Sequence, residues 1–275
     1  MTNIFTVDLE DWFHVCGVSA LSRERWTALP SRVGDTTRWL LDTLDAAGVH
    51  ATFFVLGWIA DEHPAIVEAV RSAGHDIGSH GHGHLRAYDL TEEAFAADLQ
   101  KSVTALRSVG VQQVTAFRAP EWSINERSLW ALDALAGEGF TTDASMAPVK
   151  LVGSPAFPRH PHLRRTASGP IMEVPPLVAD RFGQVMPLGW GWGLRMSTPP
   201  RVLRRIEEVN RAGSPAVLTV HPWEFDIDPP RVRLPPARHF AHYFRLDGFR
   251  NRLRSILGSA AFGPVSSLAN QTPGQ

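Results

Sequence analysis

The chain has 275 residues, 44% of them apolar and 20% charged, with a formal net charge of −1. That size and apolar share suit one large domain or two small ones with a full core, and the near-zero charge excludes a whole-surface nucleic-acid or polyanion binder. The single cysteine, Cys16, excludes an intrachain disulfide, and no apolar run reaches the roughly 18 residues of a membrane span.

The opening residues, MTNIFTVDLEDWF, have no basic stretch ahead of an apolar one, so no cleaved signal peptide is expected and the predicted location is cytoplasmic. Ile4–Asp8 then reads as a buried strand without polar alternation. Asp35–Gly48 follows as a helix with Leu40, Leu41 and Leu44 on one face. Ala51–Leu56 is the second strand, Pro64–Gly74 a helix with proline in its first turn, and Asp76–Ser79 the third strand. Thr91–Gly110 spaces Phe95, Leu99, Val103 and Leu106 helically, and Val114–Arg118 is the fourth strand. Ser123–Gly139 opens on a capping-box pattern, Ser123 with Glu126, and leads to the fifth strand, Phe140–Asp143. Met146–Pro170 reads as a long loop before the sixth strand, Ile171–Val174. Pro187–Arg195 (PLGWGWGLR) reads as another loop, Thr198–Gly213 as a helix and Ala216–Val220 as the seventh strand. A Pro-rich return and one terminal helix complete the chain, and the final dozen residues are expected to fray.

Because strand and helix alternate, the predicted class is α/β, a distorted (β/α)7-type barrel in a single domain. The barrel takes residues 1–225, and 226–275 form a C-terminal extension packed on it. An open doubly wound sheet is the alternative, but no Gly-rich phosphate turn follows the first strand.

In a parallel barrel, reactive side chains gather at the C-terminal ends of the strands. Here those ends carry Asp8, followed by Glu10 and Asp11; Ser79-His80; Arg118; Asp143; and His221-Pro222-Trp223-Glu224. The stretch GHDIGSHGHGHL holds four histidines, His75, His80, His82 and His84. On a helical turn, the four-residue spacing of His80 and His84 puts both imidazoles on one side of the chain, able to grip one cation. His82 points elsewhere, and His75 sits at the opposite end of its strand in a structural role. A carboxylate from Glu10 or Asp11 supplies the third ligand. Two nitrogens, one oxygen and an open position make a hydrolytic zinc-type site.

With these residues in view, the chain resembles the polysaccharide deacetylase family, carbohydrate esterase family 4, with its chitooligosaccharide-deacetylase homology domain. TVDLEDWFHV, ATFFVLGW, GHDIGSHGHGHLR, FRAPEWSI, LWALDALAGEGFTTDAS and HPWEFD match in order. The terminal RHFAHYFRLDGFRNRLRSIL is similar to the C-terminal extension of the exosortase-locus exopolysaccharide deacetylase subgroup. The resemblance implies a distorted (β/α) barrel. It also implies Asp8 as general base, His80 and His84 as metal ligands, and Arg118 as the arginine that holds the base in place. The backbone N–H of Glu121 becomes the oxyanion donor, His221 the acid that protonates the leaving nitrogen, and Asp143 the acid that tunes His221. Most members carry a second aspartate, the metal ligand, where this chain has Leu9, so the ligand falls to Glu10 or Asp11. Strand alternation favours Glu10, whereas an immediate turn after Asp8 favours Asp11. Gly83 replaces a usual hydroxyl residue, and Glu121 a usual aromatic one.

The implied activity is metal-dependent removal of an N-acetyl or N-acyl group from an amino-sugar glycan or glycoconjugate. One divalent ion is expected, zinc first, with Co2+, Ni2+ or Mn2+ as substitutes. Trp122, Trp190, Trp192 and Trp223 are candidates for stacking on sugar faces. A hydrolase of a cyclic imide, ureide or small N-acyl metabolite on the same scaffold is the alternative, and a non-catalytic glycan-binding module a remote one. The expected partner is an N-acetylated sugar, with no nucleic acid and the oligomeric state open.

Overall fold

The computed structural model describes residues 1–181 and 183–270. In chain order the elements are β1 (Asn3–Leu9), α1 (Val33–Ala46), β2 (Thr52–Val55), α2 (Gly57–Glu62), α3 (Pro64–Ser72), β3 (Asp76–Ser79), α4 (Glu92–Ser108), β4 (Ala116–Phe117), α5 (Trp130–Gly137) and β5 (Thr142–Asp143). There follow β6 (His162–Thr166), β7 (Gly169–Glu173), β8 (Val178–Arg181), β9 (Gln184–Pro187), α6 (Gly191–Met196), α7 (Pro199–Arg211), β10 (Val217–Val220), α8 (Pro236–Tyr243), α9 (Phe249–Leu257) and β11 (Phe262–Gly263). None of the described helices is long and apolar enough to cross a membrane.

The main sheet runs in the order β10-β1-β2-β3-β4-β5-β7-β6, and β11 also pairs with β1. From β10 to β7 every pairing is parallel, and only β6 runs antiparallel, against β7. The seven parallel strands of this run are the seven expected from sequence. Among the described residues no pairing joins β6 to β10, so the α/β sheet curls into a barrel that is not closed by hydrogen bonds.

Side chains of β1 alternate between two cores, as the period of a strand dictates. Phe5, Val7 and Leu9 join the large core between sheet and helices, while Ile4 joins an inner core with Phe54, Ala144, Val174, Val217, Val265 and Leu268. Thr6 and Asp8 therefore stand above Ile4 on the inner face, and Asp8 comes last, at the rim. Helix ends feed the next strand directly: Gly48 and Gly74 take φ of +63° and +77° where α1 and α3 stop, a backbone that L side chains resist.

Several expectations are corrected. Ser123 and Glu126 do not cap a helix: α5 starts at Trp130, Ser123 Oγ accepts the Ala87 N–H, and Glu126 accepts the Ser154 hydroxyl. Both side chains are claimed by tertiary partners. The loop expected over Met146–Pro170 contains β6, an exposed edge strand whose polar sequence, HLRRT, hides it. The loop expected over Pro187–Arg195 includes most of α6, and the single terminal helix is two, α8 and α9. In the final dozen residues, Val265 and Leu268 are buried and plug the N-terminal mouth of the barrel, so 264–270 do not fray. The rest of that expectation, 271–275, lies outside the described residues.

Candidate active site

Glu10, His80 and His84 meet at the C-terminal rim. One carboxylate oxygen, Glu10 Oε1, lies 2.9 Å from His80 Nε2 and 2.9 Å from His84 Nε2. All three residues are buried, as is Asp8. Asp8, Glu10 and His221 form an overlapping group, and within each trio the ligand-type atoms lie within 4.8 Å of one another. Glu10 continues the inner-face alternation of Asp8. Asp11 turns the other way and does not join the cluster: its carboxylate accepts N–H bonds from Trp12, Arg32 and Val33 and the Ser31 hydroxyl, holding the start of α1. Burial raises the Asp11 pKa, against these bonds.

The two histidines are not on a helical turn. After His80 the chain runs as an irregular loop, with Gly81 at φ 70° and His84 itself at φ 51°. A left-handed histidine is strained and persists only where its surroundings fix it. Asp98 of α4 does that by accepting the consecutive N–H groups of His82 (2.7 Å) and Gly83 (3.0 Å). Arg23 fills the space over Gly83, where a Cβ would approach its guanidinium to 2.6 Å. His82 points away, between Asp61 and Arg23. His75 lies at the far end of β3, accepting the Ala51 N–H.

The donor set fits a cation. His80 Nδ1 lies 2.7 Å from the Arg118 carbonyl, which can only accept, so the Nδ1 proton points there. A neutral His80 therefore turns a lone pair toward Glu10, and positive charge is needed between them. In this arrangement burial pushes Glu10 up, but His84, His221 and the histidine hydrogen bonds hold its pKa well below the usual value. Burial disfavours a charged His84, yet Cys16 and Glu10 raise its pKa well above normal. Cys16 Sγ lies 3.3 Å from His84 Nδ1, a contact that no spacing or motif marks in advance.

Arg118 is fully buried and organises the base side. Its Nη1 donates to Asp8 Oδ1 (3.0 Å), Thr6 Oγ1 (3.0 Å) and Thr219 Oγ1 (2.8 Å), and its Nε to the Ala144 carbonyl. Asp8 Oδ2 faces His221 Nε2 at 3.8 Å. His221 leaves the end of β10, and its Nδ1 pairs with Glu224 Oε2 at 3.0 Å. Burial works against the imidazolium, but Glu10, Glu224 and Asp8 push the His221 pKa up to about 9.

Asp143 does not partner His221, contrary to the role the resemblance implies. It accepts the Ser145 hydroxyl and N–H and shares its buried corner with Glu173 of β7. Burial raises both carboxyls, Glu173 well above its usual range with Asp143 as the next cause. Glu224, in the turn after His221, occupies the position expected of Asp143. Glu121 and Trp122 both have left-handed backbone, φ 53° and 51°. The Glu121 carboxylate is clamped by Arg86 Nε (2.7 Å) and Arg238 Nη1 (2.8 Å), which lower its pKa against burial. Trp122 and Trp190 pack on each other, ring centroids 4.8 Å apart, both buried. Trp223 stacks on His242 at 4.3 Å, leaving Trp192 the freer of the four tryptophans.

Comparison with known proteins places both halves of the chain among described families. Residues 29–138 match the polysaccharide deacetylase family model, and 144–270 match a domain of unknown function, DUF3473. A peptidoglycan-N-acetylglucosamine deacetylase of Bacillus cereus is 28% identical over 116 residues, covering 38% of this chain and 42% of that protein. The chain thus spans less than half the length of this curated relative. A solved structure described as a polysaccharide deacetylase from Mycobacterium smegmatis superposes with TM-score 0.61 at 20% identity, over 98% of this chain and 90% of that one. The PuuE allantoinase structure also gives 0.61, at 16% identity, over 98% and 88%. These two likenesses establish the fold. By these matches, residues 29–138 are similar to polysaccharide deacetylases and residues 144–270 to DUF3473.

Proposed function

We propose that the chain is a metal-dependent hydrolase that removes an N-acetyl or other N-acyl group from an amino-sugar glycan or glycoconjugate. The observation that carries this reading is the convergence of Glu10, His80 and His84 beside Asp8 and His221 in a chain similar to polysaccharide deacetylases. Glu10, His80 and His84 are the proposed ligands, and zinc the proposed ion, because two imidazole nitrogens and one carboxylate oxygen with an open position are its hydrolytic donor set. When bound, the ion supplies Lewis acidity to the substrate carbonyl and the attacking water.

The chain's own residues supply the proton transfers. Asp8, fixed by Arg118, takes the proton of the attacking water. The Glu121 N–H, presented by its constrained backbone, donates to the developing oxyanion, a contribution of about 3–4 kcal/mol for one well-placed donor. His221 gives its Nε2 proton to the departing nitrogen, while Glu224 holds the ring from Nδ1.

The test is product analysis by mass spectrometry with zinc-loaded protein. The panel holds N-acetylglucosamine oligomers, peptidoglycan fragments, other N-acetylamino-sugar conjugates and cyclic ureides. Acetate release with a free amine on a glycan supports the reading. Turnover of a ureide alone moves the chain to another C–N hydrolysis on the same fold. Acetate release unchanged after metal removal refutes both.

A further inference from the structure

His221 is held by more than its own strand. Glu224 Oε2 accepts two bonds from the histidine, one from its backbone N–H and one from Nδ1, each 3.0 Å. Together they fix both the ring and the chain that carries it. The other oxygen, Oε1, accepts Arg195 Nε at 2.8 Å. Glu224 and Arg195 are 0% and 1% exposed. Arg195 spends its remaining donors on main-chain carbonyls at the end of α8: Phe244 at 2.6 Å, His242 at 3.4 Å, and Ala241. Those carbonyls are among the acceptors a helix leaves unsatisfied at its C-terminus, where a cation is favoured. Trp223 completes the link, its ring 5.3 Å from His221 and stacked on His242.

The geometry points to Glu224 as the positioning residue of the His221 acid, and to Arg195 as the bridge by which the C-terminal segment holds Glu224 in place. This rests on the deacetylase reading above. An ionised carboxylate only accepts, so the proton of a neutral His221 lies on Nδ1. That leaves Nε2, the atom facing Asp8, to exchange protons with substrate. The logic is that of any imidazole oriented by a buried carboxylate. Arg195 makes the buried charge of Glu224 tolerable, since a lone ionised carboxylate there would be strongly disfavoured. DUF3473 therefore contributes more than a wall: every group in this relay, from His221 to Phe244, lies within residues 144–270.

Glu224→Gln tests it. The variant is expected to bind metal as the wild type does, with an N-acetyl amide KM within about twofold. Its kcat on the amide falls about 100-fold, while its rate on an activated acetate ester, whose leaving group needs no proton, changes less than about threefold. Glu224→Asp recovers part of the amide rate. Equal losses on both substrates, or no loss on either, overturn the assignment while leaving the deacetylase reading intact. A wild type inactive on every N-acetylated substrate instead fails that reading. Nitrogen-15 histidine NMR of the wild type, with His221 assigned from His221→Gln, decides the matter even if Glu224→Gln does not fold. A neutral His221 protonated at Nδ1 supports the proposal, and one protonated at Nε2 overturns it.

Discussion

Glu10, His80 and His84 come from the ends of β1 and β3, which flank β2, and they meet through loops a few residues long. His221, on the other side of β1, depends on Glu224, on Arg195 in α6 and on carbonyls of residues 241–244. The metal side is thus set by neighbouring strand ends and one clamping carboxylate, Asp98. The acid side is set by pieces of chain far apart in sequence. Damage on the metal side should remove the ion, and damage on the acid side should leave the ion and change which substrates still react.

The largest expected effect is on the metal side. Glu10→Gln, His80→Ala and His84→Ala should each lose most bound metal by elemental analysis, and turnover with it. Metal retained in Glu10→Gln but lost in Asp11→Asn would move the ligand to Asp11. Next comes Asp8→Asn, which keeps the metal but loses about 10²–10⁴-fold in kcat on amide and ester alike, because a neutral amide cannot accept the proton of water. His221→Ala should keep the metal and lose about 10²–10³-fold on the amide but less than about tenfold on the ester. Matching losses for the two substrates would erase the division between base and acid. Asp11→Ala should leave metal content intact and lower unfolding free energy by about 1–3 kcal/mol in urea titration, since buried N–H groups lose their acceptor.

The two sides were also unequally legible. Spacing within GHDIGSHGHGHL singled out His80 and His84, but a helical turn was the wrong geometry. A left-handed His84 depends on Asp98, a residue of α4 with nothing in its sequence context to mark it. Strand alternation favours Glu10 over Asp11, and Glu10 does share the inner face with Asp8 and meet His80 and His84, while Asp11 turns away. On the acid side, Glu224 stood in view within HPWEFD, yet its partner Arg195 lies 29 residues earlier in a Gly/Trp-rich stretch read as loop. The seven parallel strands were visible between helices, several of them as apolar runs. The β6 edge and the β8–β9 hairpin were not, because edge strands expose polar side chains and carry no buried-strand signature.

The smallest expected effect concerns a histidine on neither side of the site. His75 accepts the Ala51 N–H at 3.2 Å and packs near His50 and Phe53. Burial, then the neighbouring His50, lowers its pKa from 6.5 to about 4, so the folded protein holds it neutral. The unfolded chain takes up a proton near 6.5 that the folded one refuses until about 4. Its contribution to stability is therefore full above the higher value and is lost as pH falls through that window. His75→Asn offers an amide oxygen to the same N–H and does not titrate. Urea unfolding at pH 7.5 and at pH 5 should show the wild type losing about 1 kcal/mol more than the variant between the two conditions, after allowance for residual solvent at the site. Parallel losses would mean that the acid sensitivity of the fold lies elsewhere, and that His75 is held by packing alone.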